Sequence, residues 1–539
     1  MRKTIGKVFC FIDKQALLIV SGFLMVFIPL YPKLPLFSPI ETYVVRVRLE
    51  DFFVLFGVLV WMIQVKRTKV KWEHPLMWLI VVYVFFGWLS LLSAVSIVQT
   101  IPWEKTHFLK SLLHWLRYIE YFFLFVITYS AIRSRRQVEL LLQLLAGVVS
   151  LSVVYGLGQR YLRWPVYSTM NREYSKGVRL VLESPYARVQ STFAGHYDFG
   201  AYLVVVLPFL LSGMLFAKKK MYRYLFGVSW VLGVWGMLMS ASRSSFIGFL
   251  LGTAIVVGLK ALLKKGWQKK VVWGLSRGFG LFLVIGVMTL FLGGNIFQLF
   301  VQTVEGIPWA NKVWQPVKHM VINANPQSQV EEETGGAVIP QFTMPVPAEE
   351  LERPPDVYVD IPDKVEVVMV NEEGKIEVSY QERPRVFSEC AQEKGLSLCI
   401  RLEALWPQAI EGFKKNPVLG SGYATLNKQN LYHLTEADGT DNNFLRTLGE
   451  TGLLGFLAFY GIIGWACWLA VKGFLKNNGL QQLVCIGYLA AVAGLLVNAV
   501  YIDVFAASKV AFGFWGITAL MAASNMVLVG DKKAIRVEL

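Results

Sequence analysis

Runs of roughly twenty mainly apolar residues recur along this chain, each ended by a short linker, and no other feature restricts its fold as severely. A helix needs about 20 such residues to cross the hydrocarbon core of a bilayer, where its backbone must satisfy its own hydrogen bonds. Twelve runs approach that length, at about 15–31, 50–65, 75–95, 109–131, 138–160, 197–217, 224–241, 244–262, 278–300, 452–471, 481–501 and 508–529. Lys and Arg gather in every second linker. The groups are Arg2, Lys3, Lys7 and Lys14; Lys66 to Lys71; Arg133, Arg135 and Arg136; Lys218–Lys220 with Arg223; Lys260 to Arg277; Lys472 and Lys476; and Lys532, Lys533 and Arg536. The positive-inside rule then predicts that both termini are cytoplasmic. The first run lacks a small-residue cleavage site and reads as a retained helix. The expected fold is an all-α polytopic membrane protein of about twelve transmembrane helices, with one large periplasmic loop carrying a small β-hairpin insert.

The formal net charge of +16 raises the question of nucleic acid, and its distribution answers it. Residues 301–450 hold 13 Lys/Arg against 23 Asp/Glu, a net of −10, which leaves +26 for the rest, mostly in short linkers between apolar runs. That pattern sets membrane orientation and excludes a nucleic-acid partner. A hydrophobic content of 55% agrees, being too high for a soluble surface. The chain divides into a membrane domain (1–300), a large external loop (301–451) and a second membrane part (452–539). Within the loop, residues 323–397 read as linker plus hairpin: a Pro-rich stretch with Glu331–Glu333 and Gly335–Gly336, then Val365–Val370 and Lys375–Tyr380 flanking Asn371–Gly374. Residues 398–451 read as a helical, polar part. Cys390 and Cys399 fall in this loop and form a candidate disulfide if it lies outside the cytoplasm. Cys10, Cys467 and Cys485 sit in or beside membrane runs as packing residues.

Polar groups at membrane depth are costly and therefore informative. Arg243, in Ser242-Arg243-Ser244-Ser245, stands between two apolar runs on the external side. Its planar fork of donors suits a phosphate or pyrophosphate; a lipid-headgroup anchor is the other reading. Arg188 precedes the sixth run on the same side, with His196 and Asp198 in the following turn as capping or core-satisfied groups. Arg401 lies on a loop helix, where a solvated face is the default. Arg117 and Glu120, three apart, are expected to pair with each other. Asp441, in Asp441-Asn442-Asn443, either caps the tenth helix or serves as a general base towards a sugar hydroxyl. No Walker A motif, HExxH or Cys/His metal spacing occurs, so no metal and no cofactor are expected.

Together these residues resemble the O-antigen ligase and O-antigen polymerase family of bacterial polytopic membrane glycosyltransferases. The resemblance rests on Arg188 in Arg-x-x-Ser-Thr-Phe, Ser242-Arg243, Arg401, Asn416-Pro417 with Gly420-Ser421-Gly422, Asp441-Asn442-Asn443-Phe444-Leu445 and Glu450-Thr451-Gly452-Leu453-Leu454-Gly455. Arg48-Leu49-Glu50-Asp51 at the head of the second helix also fits. It covers approximately 45–300 and 398–525 and leaves out the 301–397 insert. The family implies a glycan carried on undecaprenyl pyrophosphate, moved without nucleotide or metal onto a glycan or glycolipid acceptor. The implied setting is the periplasmic face of the bacterial inner membrane. On that mapping Arg243 and Arg401, with Arg188, hold the pyrophosphate, and Asp441 is catalytic beside Asn442. The family's ligases have a His where this chain has Asp441, and polymerase-like members are closer to the Asp-Asn form. His433, eight residues upstream, is the alternative source of an imidazole. Two other readings stay open: a transporter or flippase for an envelope glycolipid, against which stands the lack of a half-to-half repeat, and a non-catalytic envelope-assembly scaffold.

Overall fold

The computed structural model describes residues 2–37, 39–40, 47–68, 73–167, 180–182, 187–292, 364–370, 376–382, 388–394, 396–426, 439–476 and 479–537. The protein is mostly helical. Its long helices are Arg2–Leu30 (α1), Leu49–Thr68 (α2), Pro75–Ser96 (α3), Lys105–Ala131 (α4), Arg135–Tyr161 (α5), His196–Phe216 (α6), Lys220–Ser240 (α7), Arg243–Leu262 (α8) and Trp267–Leu292 (α9). After the short helices Glu389–Lys394 (α10), Leu396–Ile400 (α11) and Trp406–Lys415 (α12) come Asn443–Lys476 (α13), Leu480–Asn498 (α14) and Ser508–Val537 (α15). Eight of these, α3, α5, α6, α8, α9, α13, α14 and α15, are long and apolar enough to cross a membrane. Local chemistry sets the helix starts. Ser134 and Gln137 close a capping box at α5, and His74 accepts the Leu76 N–H ahead of Pro75 at α3.

Sheet is minor. Pro35–Phe37 (β1) meets Val47–Arg48 (β2), and Lys364–Val370 (β3) pairs antiparallel with Ile376–Glu382 (β4), Val370 opposite Ile376. The expected hairpin is therefore present, with its second strand starting one residue later and running two residues further. The expected Pro-rich linker, residues 323–356 of the 323–397 stretch, lies outside the described residues.

Helices α6, α14 and α15 form the interior: 83%, 78% and 78% of their apolar windows are buried, against 6% for α9 at the periphery. In a bilayer, lipid tails are as apolar as leucine, so close backbone approach at small residues does much of the joining. The α8–α14 crossing shows this directly. A Cβ on Gly248 would stand 2.4 Å from the Gly494 carbonyl oxygen, and one on Gly494 would stand 2.5 Å from that of Gly248. The obstruction is backbone on both sides and cannot rotate away. Gly248→Val is therefore expected to abolish monodisperse protein on size-exclusion chromatography in detergent. A normal elution profile would show that the crossing has slack.

Candidate active site

The segment from Asn416 to Tyr423 docks its backbone onto a break in α13. Gly452 has φ 64° and ψ −167°, so the helix stops and restarts within its own length. The amides freed by this break find acceptors in the turn: Leu453 N–H donates to Pro417 O at 2.9 Å and Leu454 N–H to Val418 O at 3.2 Å. In return, Ser421 N–H donates to Gly449 O at 2.8 Å and Gly422 N–H to Glu450 O at 3.0 Å. Asn416 starts the turn by accepting from Val418 and Leu419 N–H at 3.2 and 3.1 Å. Only glycine fits the two closest points. A Cβ on Gly420 (φ 74°) would lie 2.5 Å from the Glu450 carbonyl, and one on Gly452 would lie 2.4 Å from that of Val418. The Asn-Pro-x-x-Gly-x-Gly and Thr-Gly-Leu-Leu-Gly motifs are thus two halves of one joint.

A second clasp holds the residues ahead of α13. Asp503, between α14 and α15, accepts N–H bonds from Thr440, Asp441 and Asn442 at 2.7, 3.3 and 3.1 Å, and Arg446 Nη1 at 3.0 Å. Arg446 is further paired with Glu450 at 3.4 Å, and Glu450 accepts the Ala424 N–H at 3.0 Å. The α13 cap is Asn442, whose Oδ1 accepts from Phe444 and Leu445 N–H at 3.1 and 3.0 Å. The capping reading of Asp441 is thereby corrected: its neighbour does that work, and the Asp441 side chain is left for another role.

Asp441 has φ 53°, a left-handed conformation in which Asp and Asn are enriched. Its Oδ2 lies 2.9 Å from Arg401 Nη2. Arg401 is buried in a π-helical turn, Arg401–Leu405, between α11 and α12. It donates Nη1 to the Ser397 hydroxyl at 2.7 Å and also to the Ser397 carbonyl. Just upstream, Cys390 and Cys399 are joined by a disulfide that ties α10 to α11. The Asp441 side chain keeps 42% exposure against 9% for Arg401, so the carboxylate opens outward while its partner is enclosed. The ion pair engages Oδ2. Desolvation raises the Asp441 pKa to about 6; the pull of Arg401 in the opposite direction is smaller, and the Asp503 charge adds to the rise.

Arg243 and Arg188 stand at the same end of the bundle. Asn498, at the end of α14, donates to Ser245 Oγ at 3.0 Å, and the next residue, Ala499, accepts the Asn443 N–H at 2.8 Å, so the head of α8 adjoins the head of α13. The first turn of α6 joins them: a Cβ on Gly200 would touch the Ser240 and Ser245 hydroxyls. Arg188 Nη1 lies 3.1 Å from His196 Nε2 and 3.5 Å from Tyr197 OH. Its segment is fixed by Lys509, which donates to the carbonyls of Pro29, Tyr31 and Thr192 at 3.0, 2.6 and 2.7 Å. Asp198 pairs with Lys33 at 3.6 Å, and Arg117 bonds both Glu120 and Asp51, at 2.9 and 2.6 Å. Arg401 and Asp441 are brought into contact; Arg188 and Arg243 occupy neighbouring helix heads. His433 lies outside the described residues. Among those residues, no group of three His, Cys, Asp or Glu side chains gathers as a metal site.

Sequence reasoning missed Arg446 and Asp503. Arg446 lies four residues before Glu450, the spacing of a helical ion pair, and Asp503 is a lone carboxylate in a six-residue connection between apolar runs. Both signals were on the page, and neither names its partner across the chain.

A bundle of membrane-length helices with a polar, ionised cluster at one end is the architecture of a multi-pass membrane protein. A family model described as O-antigen ligase matches residues 228–460, a stretch that contains Arg243, Arg401, Asp441 and the turn–kink joint. That segment, under half of the 539 residues, is similar to the O-antigen ligase family. No curated protein matches the chain.

Proposed function

We propose that the protein moves a glycan from undecaprenyl pyrophosphate onto an acceptor hydroxyl at the periplasmic face of a bacterial inner membrane, as a polysaccharide polymerase more than a lipid A-core ligase. The observation that carries this reading is the Arg401–Asp441 pair, 2.9 Å apart at the open head of α13 and inside the family-matched segment. In the reaction, the acceptor oxygen attacks the anomeric carbon of the donor sugar. Its proton passes to Asp441 Oδ1, the bond from that carbon to the diphosphate oxygen breaks, and undecaprenyl pyrophosphate leaves. Arg401 holds Oδ2, which aims the second oxygen at the hydroxyl. Arg243, and Arg188 beyond it, stabilise the charge that grows on the diphosphate. The arginines supply this stabilisation without a metal. An Asp at position 441 in place of the ligases' His favours the polymerase form.

The topology proposed with it has twelve crossings, both termini cytoplasmic, and residues 301–451 in the periplasm. The disulfide Cys390–Cys399 supports an oxidising compartment for that loop. Membrane extracts test the reaction. Arg243→Ala is expected to abolish transfer of lipid-linked glycan in detergent, read as a gel ladder, with the protein still in the membrane. Full retained transfer removes Arg243 from the site. Activity in detergent also separates a transferase from a carrier, which needs two sealed compartments.

A further inference from the structure

Beside the Arg401–Asp441 pair two aromatic side chains face each other across a gap in sequence of nearly a hundred residues. Trp406 follows the π-helical turn that carries Arg401, and Tyr501 sits on the connection that carries Asp503. Their ring centres are 6.2 Å apart with planes inclined at 55°. Tyr501 also lies under the guanidinium, 5.8 Å from Arg401 Cζ to the ring centre. The three groups therefore form one continuous surface of aromatic ring and planar cation. Tyr501 is 41% exposed, far more than a ring needed only for packing at a clasp.

The polar atoms around this surface are incompletely used. Arg401 Nε, Trp406 Nε1 and Gln408 Oε1 are buried and have no hydrogen-bond partner among the described residues. Buried donors and acceptors are seldom left so, because each costs about 1–3 kcal/mol when unsatisfied. Arg401 Nε and Trp406 Nε1, two unused donors beside the exposed Tyr501 ring, suit a ligand with an apolar side and a hydroxyl rim. A pyranose is such a ligand: its C–H bonds carry slight positive charge and rest on the electron-rich face of a ring.

We propose that Trp406 and Tyr501 form a sugar-binding platform that holds one pyranose of the glycan beside Asp441. This rests on the reading of the site as a glycosyltransferase and goes beyond it by naming what positions the sugar. Recognition by stacking tolerates different sugars, since every pyranose has a C–H face; Trp406 Nε1 then reads a hydroxyl at its edge.

The test uses the full-length protein in detergent and two probes. One is the oligosaccharide released by mild acid from the glycolipid of a deletion strain; the other is undecaprenyl pyrophosphate, which carries no sugar. Trp406→Ala and Tyr501→Ala are each expected to raise the Kd for the oligosaccharide about tenfold, the equivalent of about 1.4 kcal/mol. Affinity for undecaprenyl pyrophosphate should stay within twofold, and Tyr501→Phe, which keeps the ring, should bind the oligosaccharide like the parent. Unchanged oligosaccharide affinity in both alanine variants overturns the platform. So does an equal loss for both probes, which would mean that the rings merely brace Arg401, and so does a parent protein that binds no oligosaccharide. Turnover retained by Asp441→Asn would instead remove the reaction scheme and leave these binding results to stand or fall alone.

Discussion

Replacing Asp441 with Asn should lower kcat by about 10²–10⁴-fold, the usual contribution of a positioned general base, while the protein folds and inserts as before. The substitution keeps the size of the side chain and removes its capacity to take a proton. The cap on α13 is untouched, because Asn442 provides it. The pH profile gives a sharper reading. With the pKa raised to about 6, the carboxyl is protonated below that pH and can neither accept the hydroxyl proton nor pair with Arg401. Turnover should therefore fall as pH drops through about 6 and level off above it. Arg401→Met removes the one neighbour that most favours the ionised form, so the acid limb should move to higher pH. A limb that stays in place in that variant, or normal turnover in Asp441→Asn, would separate this carboxylate from catalysis.

The second large effect is expected at Asp503, which touches no reacting atom in the scheme. Asp503→Ala leaves three amides without this acceptor and takes from the buried Arg446 one of the two carboxylates that pair with it among the described residues. Arg446 keeps Glu450 at 3.4 Å, so its charge is not stranded, and the loss falls mainly on the backbone amides, each costing about 1–3 kcal/mol when left without an acceptor. Thermal unfolding in detergent should show that loss. The triple variant Asp503→Leu, Arg446→Met and Glu450→Gln removes the whole charged cluster, strands no charge and should regain part of the stability. It should not regain turnover, since nothing then holds residues 440–442 in the conformation that presents Asp441. A triple variant with full turnover would reduce Asp503 to a structural ion-pair partner.

The membrane class was open to sequence reading because each helix carries its own evidence: apolar length and basic flanks are local. The joint between Asn416–Tyr423 and Gly449–Leu454 was legible as two motifs whose glycines stood out, although their mutual docking was not. The hairpin could be read from a turn signal between two short runs, the second of which alternates polar and apolar. What could not be read was any relation between distant charges. Arg401 and Asp441 were both candidates, assigned to separate tasks, and the structure puts them in one ion pair. That contact depends on the π-helical turn, which changes the direction in which Arg401 leaves the helix, and on the left-handed backbone at Asp441. Neither is encoded by a residue type strongly enough to be foreseen. Asp503 stayed hidden for the same reason: its ligands are backbone amides, which have no sequence signature.

The glycine joint and the disulfide also bear on how much change such a chain can absorb. Behind the site, Gly420 and Gly452 lock backbone to backbone; ahead of it, the Cys390–Cys399 bridge ties the approaching turn to itself. New sequence spliced in upstream of that bridge meets a frame already closed on its far side. A longer or different stretch between α9 and Cys390 should therefore leave the Arg401–Asp441 pair in place.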